Sequence, residues 1–217
     1  MEQKDFDDFN WGAIKLSALL TFVFGLQVFY NFDLGFQAFE SPFWKFFTSF
    51  LAHGGPEHLF NNLFFIALFG SIYELHTSEI EFYKAFVLSA LFANLAAFVF
   101  YPDSAIIGAS GGAMGVLAAL SVLKPNQVGL VLGIPAPMYV VLIGYIFINF
   151  VGLGGGGNTA YEAHLLGMVP GIILGYRLRD RPLVSDGEDV SEENSEEEEF
   201  SNWDRRIKKW EEKYMKR

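Results

Sequence analysis

The sequence predicts an all-α, polytopic membrane protein: six transmembrane helices, of which the fourth is short and central. Three observations carry this expectation. The 217 residues are 52% hydrophobic and 17% aromatic, with a positive mean hydropathy. Residues 13–32 and 85–100 are near-continuous apolar runs rather than alternating faces, close to the length that spans a ~30 Å hydrocarbon core. Only short breaks separate the apolar segments, and one domain accounts for the length.

Helices are expected at roughly 13–33, 58–75, 81–101, 108–123, 136–152 and 160–178. The acidic start, Met1 to Asp8, is unlike the basic head of a signal peptide, and no small-residue cleavage site follows the first run. That run is therefore expected to stay as a helix. The fourth segment spans only ~24 Å at 1.5 Å per residue, so one end must begin below the membrane surface. Segment 127–134 is apolar but broken by Gly129 and Gly133, and is expected to approach the fifth helix as a loop. Pro135 or Pro137 then falls near that helix's first turn. The glycine run 154–157 would make the outer loop before the sixth helix mobile.

Charge sets an expected orientation. With the N-terminus inside, Lys4, Lys15, Lys84, Lys124, Arg177, Arg179 and Arg181 face the cytoplasm, and before the tail only Lys45 lies outside. This satisfies the positive-inside rule, and the reverse orientation violates it. Both termini are expected in the cytoplasm of a multi-pass cell-membrane protein. The net charge of −10 belongs largely to the tail, since residues 180–217 hold 13 of the 25 acids. The expected division is a six-helix domain over 1–179 and an acidic cytoplasmic tail over 180–217. Within the tail, 185–199 reads as disordered. Residues 200–217 repeat Trp203, Ile207, Trp210 and Tyr214 at helical spacing, a pattern for a helix on the inner membrane face. The chain has no cysteine, which excludes disulfide and thiol chemistry.

Polar groups are concentrated near one face. In this topology helices two, four and six run from outside to inside, placing His58, Asn62, Ser110 and His164 at similar depth near the outer surface. Ser110 sits in Gly108-Ala109-Ser110-Gly111-Gly112. A serine in a membrane helix is most often a packing residue bonding its own i−4 carbonyl. At a helix N-terminus, however, unpaired N–H groups favour an oxyanion forming beside it. His164 would need a partner in lipid, and Glu162 is the one acid nearby. Gly167, Gly171 and Gly175 follow it at four-residue spacing, and the fourth helix carries Gly108 and Gly112, and Gly111 and Gly115, at the same interval. Two such faces let helices pack backbone to backbone, which would bring Ser110 within reach of His164 as a base. His58 and Asn62 share a helical face and read either as oxyanion donors or as an interhelical clamp. His53 reads as structural and His76 as solvated. No His-Glu-x-x-His zinc motif and no paired intramembrane aspartates occur, and no metal is implied. A channel or transporter would want polar residues through the bilayer depth.

These residues resemble the rhomboid family of intramembrane serine proteases over about 13–178. His53-Gly-Gly-Pro-Glu-His58 with Asn62 resembles the family's second-helix pattern, and Phe69-Gly70 through Glu74 its end. Gly108-Ala109-Ser110-Gly111 resembles the nucleophile motif, and Ala163-His164-Leu-Leu-Gly167 with Gly171 the sixth-helix motif. Trp44-Lys45 resembles the Trp-Arg pair of the first external loop, and Met114 stands where many bacterial members carry an aromatic that stacks on the histidine. The resemblance implies a six-helix rhomboid-like bundle with Ser110 as nucleophile and His164 as general base, a dyad without a carboxylate. His58, Asn62 and the Ser110 backbone N–H would form the oxyanion hole. Substrates would be transmembrane segments cut near their outer ends, with the lipid bilayer as the other partner. Neither a cofactor nor a nucleic-acid partner is implied, and the oligomeric state is left open. The alternative is a rhomboid-like pseudoprotease that binds or escorts membrane helices without cutting them.

Overall fold

The computed structural model describes residues 10–153 and 159–179. The described chain is dominantly helical: α1 (Gly12–Tyr30), α2 (Pro56–Phe65), α3 (Ser71–Leu75), α4 (Glu79–Phe100), α5 (Ser110–Leu123), α6 (Met138–Gly152) and α7 (Tyr161–Arg179). A single π-helical turn, Ile66–Gly70, joins α2 to α3, so the two occupy the second predicted segment. The expectations for the tail (residues 180–217) and for the 154–157 loop lie outside the described residues.

The boundaries follow local chemistry. Pro56 opens α2 at the first helical position, where its missing N–H costs nothing. Ser78 caps α4 by accepting the Glu81 N–H at 3.2 Å. This Ser-x-x-Glu start places the helix at Glu79, two residues before the expected position. Gly108 has φ +115°, incompatible with a helix, so α5 begins at Ser110 rather than 108.

One element departs from the all-α expectation. Segment 127–134, expected as a loop, belongs to a hairpin, and α6 starts at Met138 rather than 136: β1 (Val128–Val131) pairs antiparallel with β2 (Ile134–Pro137), with Val131 opposite Ile134 and Val128 opposite Pro137. Leu132 and Gly133 turn the chain with φ 51° and 80°, the two positive angles of a tight hairpin whose twist suits its strands. Pro137 then caps α6, as expected of one of the two prolines.

The short fourth segment is central. Twelve of the fourteen residues of α5 are buried, and α4 and α7 flank it. Glycines set the distance to α7. A Cβ at Gly167 would sit 2.8 Å from the Gly111 carbonyl oxygen, one at Gly171 would collide with the Gly115 carbonyl, and one at Gly175 would lie 2.7 Å from the Ala119 oxygen. Contacts advancing four residues at a time along both helices make them parallel and in register. The expected glycine faces divide, however: Gly112 meets Phe86 of α4, and Gly108 meets His58. At Gly111 and Gly115 a Cβ would meet Ala93 and Ser89 of α4 first, and it is the carbonyls of these two glycines that face Gly167 and Gly171 of α7.

The periphery is apolar too. Phe22 and Phe29 on α1, Val99 on α4, Ile143, Phe147 and Phe150 on α6, and Ile173 on α7 are exposed. A helix apolar on its outer as well as its inner face suits lipid. By length and composition α1 and α4 are long enough to cross a membrane, while α5 and α6 are apolar but shorter. At the opposite end from Ser110, the buried Glu74 carboxylate accepts the Gly12 and Ala13 N–H groups at 2.9 and 3.1 Å. It satisfies donors that the start of α1 cannot pair internally.

The glycine register gives a paired prediction. Gly171→Ala should lower stability by roughly 3 kcal/mol or more, because a backbone carbonyl cannot move aside. Gly25→Ala, whose Cβ meets nothing within 4 Å, should be neutral or stabilising by up to about 1 kcal/mol. Thermal unfolding in detergent measures both.

Candidate active site

Ser110 is the first residue of α5, so its N–H has no partner within the helix. Gly108 holds the preceding turn: its left-handed φ excludes other residues, and a Cβ there would lie 2.7 Å from the His58 ring. Its N–H donates to the Ser49 carbonyl at 3.2 Å. Ser49 is itself buried, and its Oγ accepts from Asn94 of α4 at 2.9 Å; the same amide donates to the Phe46 carbonyl at 2.7 Å. The loop after α1, the strand of chain before Ser110 and α4 are thereby tied at one point.

The α5–α7 register brings the predicted pair together. His164 Nε2 lies 2.7 Å from Ser110 Oγ, and both residues are half-buried. The other ring nitrogen, Nδ1, lies 2.8 Å from Oδ1 of Asn149 on α6. Asn149 was not anticipated. Its one sequence signal was an amide within the apolar run 138–152, and polar groups at such depth tend to be functional. Glu162, the acid expected near His164, instead accepts from the Tyr101 hydroxyl. The imidazole thus meets an amide and no carboxylate. Tyr161 meets the His164 ring edge-on at 6.5 Å between centroids. Met114 lies in an apolar cluster with Ala118 and Met168 and borders the same cleft as His164.

His58 and Asn62 line that cleft with Ser110 and His164; its volume is about 900 Å³. Asn62 Nδ2 donates to the His58 carbonyl at 3.1 Å. That oxygen only accepts, so the nitrogen must face it, and the amide keeps a second hydrogen. His58 Nδ1 accepts the Gly54 N–H at 3.4 Å, which leaves Nε2 as the ring's donor. The cleft therefore holds a hydroxyl paired with an imidazole, a helix N-terminal N–H and two side-chain donors. Among the described residues no cluster of His, Asp and Glu could hold a metal ion.

The chain matches the rhomboid domain over residues 40–181. It belongs to the rhomboid family. It is therefore a membrane protein. It is 28% identical over 181 residues to rhomboid-like protein 11, chloroplastic, of Arabidopsis thaliana, covering 76% of this chain and 60% of that protein. Rhomboid-related protein 2 of Mus musculus is 23% identical over 155 residues, 66% of this chain and 51% of the mouse protein. RHOMBOID-like protein 6, mitochondrial, of Arabidopsis thaliana is 28% identical over 142 residues, 64% and 45% respectively. The rhomboid chain spans about half the length of the curated relatives it matches.

The loop between α1 and α2 carries two further predicted residues. Lys45 pairs with Asp33 at 2.6 Å. This ammonium, helped by the Gly35 N–H, holds the Asp33 carboxyl below its ordinary range. Trp44 is half-exposed on the helical turn Phe43–Phe47. His53, expected as structural, is buried: its N–H donates to Gln27 Oε1 at 3.0 Å, and Nδ1 donates to the Leu51 carbonyl at 3.2 Å. Its ring meets His58 edge-on at 5.2 Å. His76 ends α3 half-buried rather than solvated.

Burial, reinforced by the neighbouring His58, lowers the His53 pKa from 6.5 to about 4. Between these values the unfolded chain binds a proton that the folded chain refuses. The His53 contribution is intact above pH 6.5, is lost progressively as pH falls towards 4, and is flat below. The slope is at most about 1.4 kcal/mol per pH unit. Unfolding midpoints measured from pH 7 to 4 should fall, and His53→Gln should flatten the dependence.

Proposed function

We propose that this rhomboid protein is an intramembrane serine endopeptidase. The observation that carries the reading is the 2.7 Å hydrogen bond between Ser110 Oγ and His164 Nε2 at the N-terminus of a buried helix. A nucleophile and its base in contact on a cleft is the arrangement that covalent acyl transfer needs. Ser110 Oγ attacks the scissile carbonyl carbon while His164 Nε2 takes its proton. The oxyanion that forms is met by the Ser110 N–H, the free Asn62 hydrogen and His58 Nε2–H. As the intermediate collapses, His164 passes the proton to the leaving amine, and a water activated by the same nitrogen releases the acyl group.

The substrates are transmembrane segments of other membrane proteins, opened near their outer ends. The topology that goes with this is six spans with both termini cytoplasmic and the cleft towards the outer face of the cell membrane. Spans two and six are α2 with α3, and α7; residues 180–217 are then a cytoplasmic tail. Apolar outward faces on α1, α4, α6 and α7 support this arrangement. So does the basic bias of the loops. A non-cutting binder of membrane helices would have no use for a hydroxyl held against an imidazole, and the contact favours the protease over that alternative.

Purified protein in liposomes with a transmembrane substrate tests the reading. Ser110→Ala and His164→Ala should abolish cleavage, and Asn62→Ala should reduce kcat on the order of 100-fold, the scale for losing one oxyanion donor. Cleavage that persists in Ser110→Ala removes the mechanism.

A further inference from the structure

We propose that Asn149 is a positioning residue that fixes the tautomer and plane of His164. This rests on the reading of Ser110 and His164 as nucleophile and base. In α6 only Met138, Val141 and Asn149 are buried. The outer half of a largely exposed helix thus commits its one buried position to an amide, pointed at the imidazole.

The hydrogen bonds leave one consistent assignment. Asn149 Nδ2 donates to the Tyr145 carbonyl at 2.7 Å. That oxygen can only accept, so the amide nitrogen must face it and Oδ1 must face His164. Oδ1 in turn can only accept, so His164 Nδ1, 2.8 Å away, carries the hydrogen. A neutral imidazole with hydrogen on Nδ1 has its lone pair on Nε2, which faces the Ser110 hydroxyl at 2.7 Å. The tautomer required for taking the serine proton is thereby selected before substrate arrives. When His164 becomes an imidazolium, the Nδ1–H···Oδ1 bond turns charge-assisted and strengthens. The contact therefore acts on the transition state more than on substrate binding. A neutral acceptor does this without placing a second charge in a low-dielectric site.

Three variants and one spectrum test the proposal. Asn149→Leu should lower kcat about 10- to 100-fold, the usual scale for removing the group that orients a functional histidine, with KM within about twofold. Asn149→Asp, which presents an acceptor to Nδ1–H in either protonation state, should keep kcat several-fold above Asn149→Leu. A role confined to packing α6 would not distinguish the two in kcat at constant KM. The chain has four histidines, so 15N ring resonances are few, and His164→Asn assigns the one that matters. Wild type should show hydrogen on Nδ1, and Asn149→Leu should move the ring towards the Nε2–H form. A wild-type ring with hydrogen on Nε2, or an Asn149→Leu kcat within twofold of wild type, overturns the proposal. If Asn149→Leu does not fold, the wild-type ring and Asn149→Asp decide. Absence of cleavage by wild type would instead count against the protease reading, and the ring tautomer would still decide the role of Asn149.

Discussion

The fold depends on the approach of α5 and α7 to backbone contact. Gly167 against Gly111 and Gly171 against Gly115 leave no room for a side chain between the two helices. Lipid offers no hydrophobic force between helices, so close van der Waals packing of small residues supplies the association. It also supplies precision. The parallel register that matches Gly167 to Gly111 also carries His164 to the level of Ser110. A slip of one turn could still set glycine against glycine, Gly171 at Gly111 and Gly175 at Gly115, but it would break the Ser110–His164 hydrogen bond.

Around that contact several polar side chains and one backbone N–H are held by neighbours that also aim them. Gly108 N–H is held by Ser49, and Ser49 by Asn94, so the turn before Ser110 is braced from two directions. Asn62 is anchored on the His58 carbonyl, and His58 on the Gly54 N–H. Single interhelical hydrogen bonds in membranes average only about 0.6 kcal/mol, so none of these holds the bundle. Their effect is to limit the number of arrangements open to the cleft.

Much of this was legible in the chain. The apolar runs located the helices, and the glycine spacing pointed to the α5–α7 contact. The motifs around His58, Ser110 and His164 named the family. What escaped has physical reasons. Pro135 and Pro137 weaken a strand signal, so 127–134 read as a loop and the end of β2 as the start of a helix, although Leu132-Gly133 is a two-residue turn between apolar runs. Gly111, Gly112 and Gly115 span roughly a quarter of the circumference of α5, and spacing alone does not say which neighbour each will meet; a Cβ at any of the three would meet α4. Asn149 lies on a different helix, 15 residues before His164. A single amide in an apolar run carries no motif, and its partner emerges only when α6 is placed beside α7. Glu162 misled for the opposite reason: proximity in sequence suggested His164, but its position on the helix gives it to Tyr101.

In the proposed mechanism the α5–α7 contact makes Ser110 a nucleophile by holding it against His164. Labelling of the intact protein in liposomes with a fluorophosphonate, followed by mass mapping of the modified peptide, tests this without knowledge of a substrate. A single adduct on Ser110 is expected in wild type, with the label greatly reduced in His164→Ala. A folded wild-type protein that takes no label at Ser110, or a His164→Ala variant that labels there as fast as wild type, would contradict it.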